Sequence, residues 1–131
     1  MTALRVDVVI LAGAISAGIH GALAPEHFDE GTGAGAGFVV AAVVLAALAL
    51  ALTLRPTSRV LVGSAAAVFA ALIGSYALAV TSGVPVLHPE VEPVNGLALF
   101  TKVVEAAGLA AAASLLRRRG TGVLSPEPKG T

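Results

Sequence analysis

The side chains best suited to chemistry lie in the run HGALAPEHFDE, which extends from His20 to Glu30. A second run of the same kind, HPEVE, begins at His88. Imidazoles and carboxylates are ligands for Zn, Cu(II) or Fe. The two runs therefore predict a metal site at the ends of helices, and its candidate ligands are His20, Glu26, His27, Glu30, His88 and Glu90. Two alternatives remain open: these groups are solvated loop residues, or they line a pocket for a small polar ligand.

The metal, if one binds, must be held by nitrogen and oxygen ligands, because the chain has no cysteine. Zn or Cu fits such a ligand set. Haem is a weaker candidate, since His20 is the one histidine placed inside a predicted membrane span and a second axial ligand does not face it.

A second group of polar residues falls inside the apolar segments. Lys102 and Glu105 are spaced i and i+3, which places them on one helix face as an ion pair. Ser16 precedes His20 by one helical turn and shares its face. Charged side chains within a span face the bundle interior or a cavity. We therefore expect a polar layer that also includes Tyr76 and that forms either a ligand or ion pathway or a pair that sets helix register.

The elements that position these residues are long apolar runs. The chain has 131 residues, of which 56% are hydrophobic and 12% charged, whereas soluble domains carry about 25% charge. A membrane span needs about 20 apolar residues, and four segments qualify: residues 4–24, 33–54, 58–81 and 94–116. We expect Pro25 to follow the end of the first helix. The predicted fold is an all-α, antiparallel four-helix bundle in residues 1–119, followed by a disordered cytoplasmic tail over 120–131.

Small residues predict which helices meet. Gly13, Ala17 and Gly21 repeat every four residues in the first span, and Gly33 and Gly37 open the second. Close backbone approach at small residues drives helix association in lipid. We expect the first two helices to touch.

Charge predicts the orientation of the bundle. Arg5, Arg55, Arg59 and the arginines from Arg117 to Arg119 flank the same ends of the four spans. The positive-inside rule places those ends and both termini in the cytoplasm. The connections at residues 25–32 and 82–93 contain carboxylates but no lysine or arginine, so we expect them to face outward.

Other function classes find little support. The net charge is zero and basic residues are few, which excludes a nucleic-acid footprint. No GxSxG elbow, P-loop or strand-associated GxGxxG fingerprint occurs. We do not expect an enzyme.

The APEHFDE run after a histidine-bearing first helix, the TSGVP segment and the KVVE run of the fourth helix together resemble a group of small four-span bacterial membrane proteins. That resemblance carries no activity. The composition also resembles that of high-GC bacterial proteins, which implies a bacterial plasma (inner) membrane setting.

Three hypotheses follow for function. The first is a membrane protein that binds a metal ion or small polar ligand through an outward-facing site, alone or within a larger membrane complex. The second is a structural or assembly subunit whose polar residues satisfy one another. The third is a protomer of an oligomeric transporter.

Overall fold

A computed structural model describes residues 2–85 and 89–118 of the chain. Within these residues the protein forms four α-helices and no strands: α1 (Thr2–Glu30), α2 (Thr32–Leu54), α3 (Arg59–Thr81) and α4 (Gly96–Arg118). Each helix is long and apolar enough to cross a membrane. His88 and the predicted tail over 120–131 lie outside the described residues.

The prediction that α1 ends before Pro25 is wrong, because the helix continues through the proline to Glu30. Proline removes one backbone N–H from the helical ladder. Beside the proline, the His27 ring donates from Nδ1 to the Leu23 carbonyl oxygen over 2.9 Å, and the following turn is helical. The interval 25–32 is therefore mostly helix, and Gly31 alone separates α1 from α2.

The remaining helix ends follow local chemistry. The Ser58 side chain caps α3 by accepting a hydrogen bond from the Leu61 backbone N–H over 3.3 Å. After α3 the chain turns at Gly83, whose φ of 75° is a left-handed conformation that favours glycine. The Asn95 side-chain Oδ1 accepts a hydrogen bond from the Ala98 backbone N–H over 2.9 Å and so caps the start of α4.

Neighbouring helices run antiparallel, as predicted. Gly13 of α1 lies against Ala49 of α2, and Gly21 lies against Ala42. Residue numbers therefore increase along α1 in the direction in which they decrease along α2. The predicted contact between α1 and α2 is thus present and is the most extensive in the bundle.

Helix α4 packs against both α1 and α3, again antiparallel. A Cβ atom built at Gly108 would lie 2.8 Å from Ala12 of α1 and 2.7 Å from the Phe69 ring of α3. Glycine at position 108 therefore allows three helices to approach one another closely. The buried apolar core surrounds this point, and its members are Val6, Val9, Ala12, Ala17, Leu45, Leu52, Val62, Ala65, Phe69, Ala112 and Leu115.

The antiparallel arrangement separates charge between two ends of the bundle. We call the end that carries Arg5, Arg55, Arg59, Arg117 and Arg118 the arginine end, and the end that carries Glu26, Asp29, Glu30, Glu90 and Glu92 the carboxylate end. The apolar core occupies the half nearer the arginine end. Polar side chains enter the bundle only further along, from Ser16 towards the carboxylate end, among the buried residues that the structure describes.

Candidate functional site

The deepest polar contact joins α1 to α4. The Ser16 hydroxyl donates a hydrogen bond to Glu105 Oε1 over 2.6 Å, and both side chains are fully buried. A buried carboxylate is costly unless each oxygen finds a partner. Ser16 supplies one partner from the neighbouring helix, and its own small size lets the two helices stay close.

Lys102 satisfies the second oxygen of Glu105. Its ammonium group donates to Oε2 over 2.5 Å, and the predicted i, i+3 ion pair is therefore present. The same Nζ lies 3.5 Å from the Leu72 carbonyl oxygen of α3 and 5.5 Å from the centre of the Tyr76 ring. Lys102 thus extends the network from α4 to α3, where the Tyr76 ring face contributes a cation–π contact.

His20 joins this network through Ser16. Its Nδ1 donates to the Ser16 carbonyl oxygen over 2.8 Å and lies 3.3 Å from the Ser16 hydroxyl. The hydroxyl then connects the imidazole to Glu105. The residue that reaches α4 directly is consequently Ser16, while His20 is held one turn away. We call Ser16, His20, Lys102 and Glu105 the buried network.

A second polar group lies one to two turns further along α1, at the carboxylate end. His27 Nε2 lies 3.2 Å from Glu92 Oε1 and 4.0 Å from Glu30 Oε2. One donor atom from each of these three residues falls within 4.8 Å of the others. The imidazole is buried, Glu92 is partly buried and Glu30 is exposed, so the group opens at the surface of the bundle. We call His27, Glu30 and Glu92 the His27 cluster.

The tautomer of His27 follows from its hydrogen bonds. Because Nδ1 carries the proton given to the Leu23 carbonyl, the neutral ring presents a lone pair at Nε2. That lone pair faces the carboxylates of the cluster. Two acceptors cannot bond to one another, so the contact requires either a proton between Nε2 and the Glu92 carboxyl group or a cation bound between the groups.

Helix α2 fixes the ring plane. Phe38 stacks on His27 with ring centres 3.6 Å apart and an angle of 19° between the planes. The other histidine, His20, also contacts Phe38, at 5.1 Å and a tilt of 42°. Phe38 therefore lies between the buried network and the His27 cluster and keeps the two as separate groups.

The structure brings together part of the predicted metal-ligand set. His27 and Glu30 converge, whereas His20 belongs to the buried network. Glu26 and Glu90 are exposed and stand outside the convergent group that the described residues form. His88 is among the residues that the structure does not describe.

Glu92 and Phe38 were not predicted as site residues. Glu92 lies 65 positions from His27 in the chain, and its backbone N–H donates to the Ala79 carbonyl oxygen over 2.8 Å. The segment that precedes α4 is thereby fastened to the end of α3, which brings the carboxylate over α1. The sequence run HPEVE contains Glu92, but no local pattern distinguishes it from Glu90.

Comparison of the chain with protein-family models, with curated proteins and with solved structures gives no match.

Proposed function

We propose that this protein is a multi-pass plasma-membrane protein that binds a divalent transition-metal ion at its carboxylate end, through His27, Glu30 and Glu92. The observation that carries the proposal is the convergence of one imidazole nitrogen and two carboxylate oxygens within 4.8 Å. Three protein ligands of this kind leave a fourth position open on a tetrahedral ion such as Zn²⁺. Cu(II) accepts the same donor types.

The hydrogen bond on the far side of the His27 ring supports a metal. Histidine ligands commonly donate their other ring N–H to a backbone carbonyl or carboxylate, which fixes the tautomer and directs the free nitrogen to the ion. The Nδ1 donation to Leu23 is of this kind. Stacking on Phe38 adds a second restraint on the ring.

Charge supports an orientation with the metal site outside the cell and both termini in the cytoplasm. The arginine end holds most of the basic residues of the chain, and between Arg59 and Lys102 there is no lysine or arginine at all. Basic residues near short connections favour the cytoplasmic side. A bacterial inner membrane is the setting that we propose.

Within this proposal the buried network sets the position of α1 relative to α3 and α4. Its hydrogen bonds tie α1 to α4 and α3, the same elements whose ends supply or support the His27 cluster. The network thereby keeps His27 on α1 in register with the segment that carries Glu92.

One observation favours a second candidate function, that of a structural or assembly subunit in a larger membrane complex. Both oxygens of Glu105 are satisfied by partners within the chain, Ser16 and Lys102, so this network has no need of a ligand. In a subunit that only assembles, the contact of 3.2 Å between His27 Nε2 and Glu92 Oε1 would be a structural pair.

Metal binding separates the two candidates. The full chain is purified in detergent, stripped with a chelator and titrated with Zn²⁺ by calorimetry, and bound metal is counted by mass spectrometry. We expect one ion per chain, and we expect Glu92→Gln and His27→Gln to weaken binding at least about tenfold, the range seen when a supporting group is removed. Glu26→Gln is the matched control, because Glu26 is an exposed carboxylate one residue from His27.

Equal losses in Glu26→Gln and Glu92→Gln would mean that Zn²⁺ binds loosely to surface carboxylates, and the proposed site would be wrong. A wild-type chain that takes up no ion would support the assembly role. Thermal unfolding of each variant without metal shows whether a lost signal reflects a lost fold.

A further inference from the structure

The arginine end presents exposed arginine side chains. Arg55, Arg59 and Arg117 are exposed and come from the α2–α3 connection, the first residue of α3 and the last turn of α4. Within residues 2–85 and 89–118, none of these three guanidinium groups forms an ion pair with a carboxylate. Asp7 is the sole carboxylate among the described residues at this end.

Exposed apolar side chains lie beside these charges, since Leu54 precedes Arg55 and Val60 follows Arg59 in the chain. A shallow depression at the same end is formed where α1, α3 and α4 meet, and its lining residues are Val6, Pro56, Arg59, Val62, Leu115 and Leu116. Arg59 is thus part of the wall, with its side chain among aliphatic groups. An exposed guanidinium at the rim of an aliphatic surface matches an amphipathic ligand that has an anionic head and an apolar body.

The helices set the depth of this surface. Each of the four helices spans at least 23 residues, or about 34 Å at 1.5 Å per residue, which is close to the thickness of a hydrocarbon core of about 30 Å. The helix ends, and the arginines on them, therefore fall at the level of the lipid headgroups. Guanidinium groups bind phosphate oxygens in a bidentate manner.

We propose that the arginine end is a binding surface for anionic phospholipid, with Arg55, Arg59 and Arg117 on the headgroup phosphate and the exposed Leu54 and Val60 side chains against the upper part of the acyl chain. This surface lies at the opposite end of the bundle from the His27 cluster and is independent of metal binding. An anionic headgroup complements the positive charge of the three arginines, and this favours anionic phospholipid over a zwitterionic lipid.

Lipid titration tests the proposal on the full chain. The protein in a neutral detergent receives phosphatidylglycerol, phosphatidylcholine or soluble inorganic phosphate, and its unfolding temperature is measured at low and high salt. We expect phosphatidylglycerol to raise that temperature by at least about 3 °C more than phosphatidylcholine does. The difference should shrink at high salt, because ionic strength screens the contact.

Variants identify the residues responsible. Arg55→Gln/Arg59→Gln/Arg117→Gln should abolish the difference between the two lipids, and the triple lysine variant should retain part of it. Glu26→Gln/Asp29→Asn, at the carboxylate end, is the matched control and should behave as wild type. If the triple glutamine variant does not fold, Arg117→Gln is measured instead, and it should reduce the difference in unfolding temperature between the two lipids.

Equal stabilisation by phosphatidylglycerol and phosphatidylcholine would overturn the proposal. A preference for phosphatidylglycerol that persists in the glutamine variants would also overturn the proposal. An equal shift with inorganic phosphate would show an anion site without a lipid requirement and would likewise contradict it.

Discussion

Ser16 and Glu105 lie 89 positions apart in the chain and meet in a hydrogen bond of 2.6 Å in the interior of the bundle. Each is fully buried, so the carboxylate has exchanged water for a hydroxyl on one side and an ammonium on the other. This contact restricts how far α4 can slide along α1, because a shift of one residue would leave a buried oxygen without its donor.

Ser16→Ala should therefore destabilise the fold. The substitution leaves Glu105 Oε1 buried without its donor, and an unsatisfied buried acceptor costs about 1–3 kcal/mol. Equilibrium unfolding in mixed micelles measures the change. Ser75→Ala is the matched control: Ser75 is exposed on α3, and we expect a change within about 0.5 kcal/mol. Equal costs for the two alanine variants would contradict the role given to Ser16.

A double-mutant cycle tests the Lys102–Glu105 pair. Removing one partner of a buried ion pair costs about 3–5 kcal/mol, because the other charge remains buried alone. Lys102→Met and Glu105→Gln should each be strongly destabilising. The double variant should lose less than the sum of the two single losses, since no unpaired charge is left. Additive losses would show that the two side chains stabilise the bundle independently.

Gly108→Ala should also be destabilising, by about 1–3 kcal/mol as for other overpacked sites. Its added methyl group would fall 2.7 Å from the Phe69 ring and 2.8 Å from Ala12 Cβ, which are closer than contact distance. Gly74→Ala on α3 meets no atom within 4 Å and serves as the control. We expect Gly74→Ala to be neutral or mildly stabilising, because alanine favours helix over glycine. A reversed order of the two variants would contradict the close approach of α4 to its neighbours.

Single cysteines can report the orientation, since the chain has none of its own. The two substitutions are Asp29→Cys and Thr57→Cys. Residue 29 is exposed near the end of α1, and residue 57 lies in the connection between α2 and α3. With both termini in the cytoplasm, a membrane-impermeant maleimide added to intact cells should label position 29 but not position 57. Permeabilised cells should show label at both. The opposite pattern in intact cells would invert the proposed topology.

Local sequence patterns predicted the parts of this protein that depend on near neighbours in the chain. The four apolar runs correctly predicted four helices, and the i, i+3 spacing correctly predicted the contact between Lys102 and Glu105. The repeat of small residues in the first span correctly indicated the contact between α1 and α2, because Gly13 and Gly21 allow close approach.

Contacts between distant segments could not be predicted in the same way. Nothing in the sequence near Ser16 selects Glu105 as its partner, and nothing near His27 selects Glu92; both depend on the register between α1 and the residues from 92 onward. The failure at Pro25 has a related cause. A proline usually ends a helix because one backbone hydrogen bond is lost, but here the helix continues to Glu30, and the ring of His27 in that last part contacts Leu23 and the distant Phe38.

The single residue between α1 and α2 has a consequence for biogenesis. Two helices joined at Gly31 and packed along their length form a helical hairpin, and all of its residues have been synthesised once residue 54 is made. The hydrogen-bond partner of Ser16, Glu105, lies in the last helix and is synthesised only after that hairpin. Lys102 and Glu105 lie one turn apart on the last helix, so the two members of the ion pair are made together.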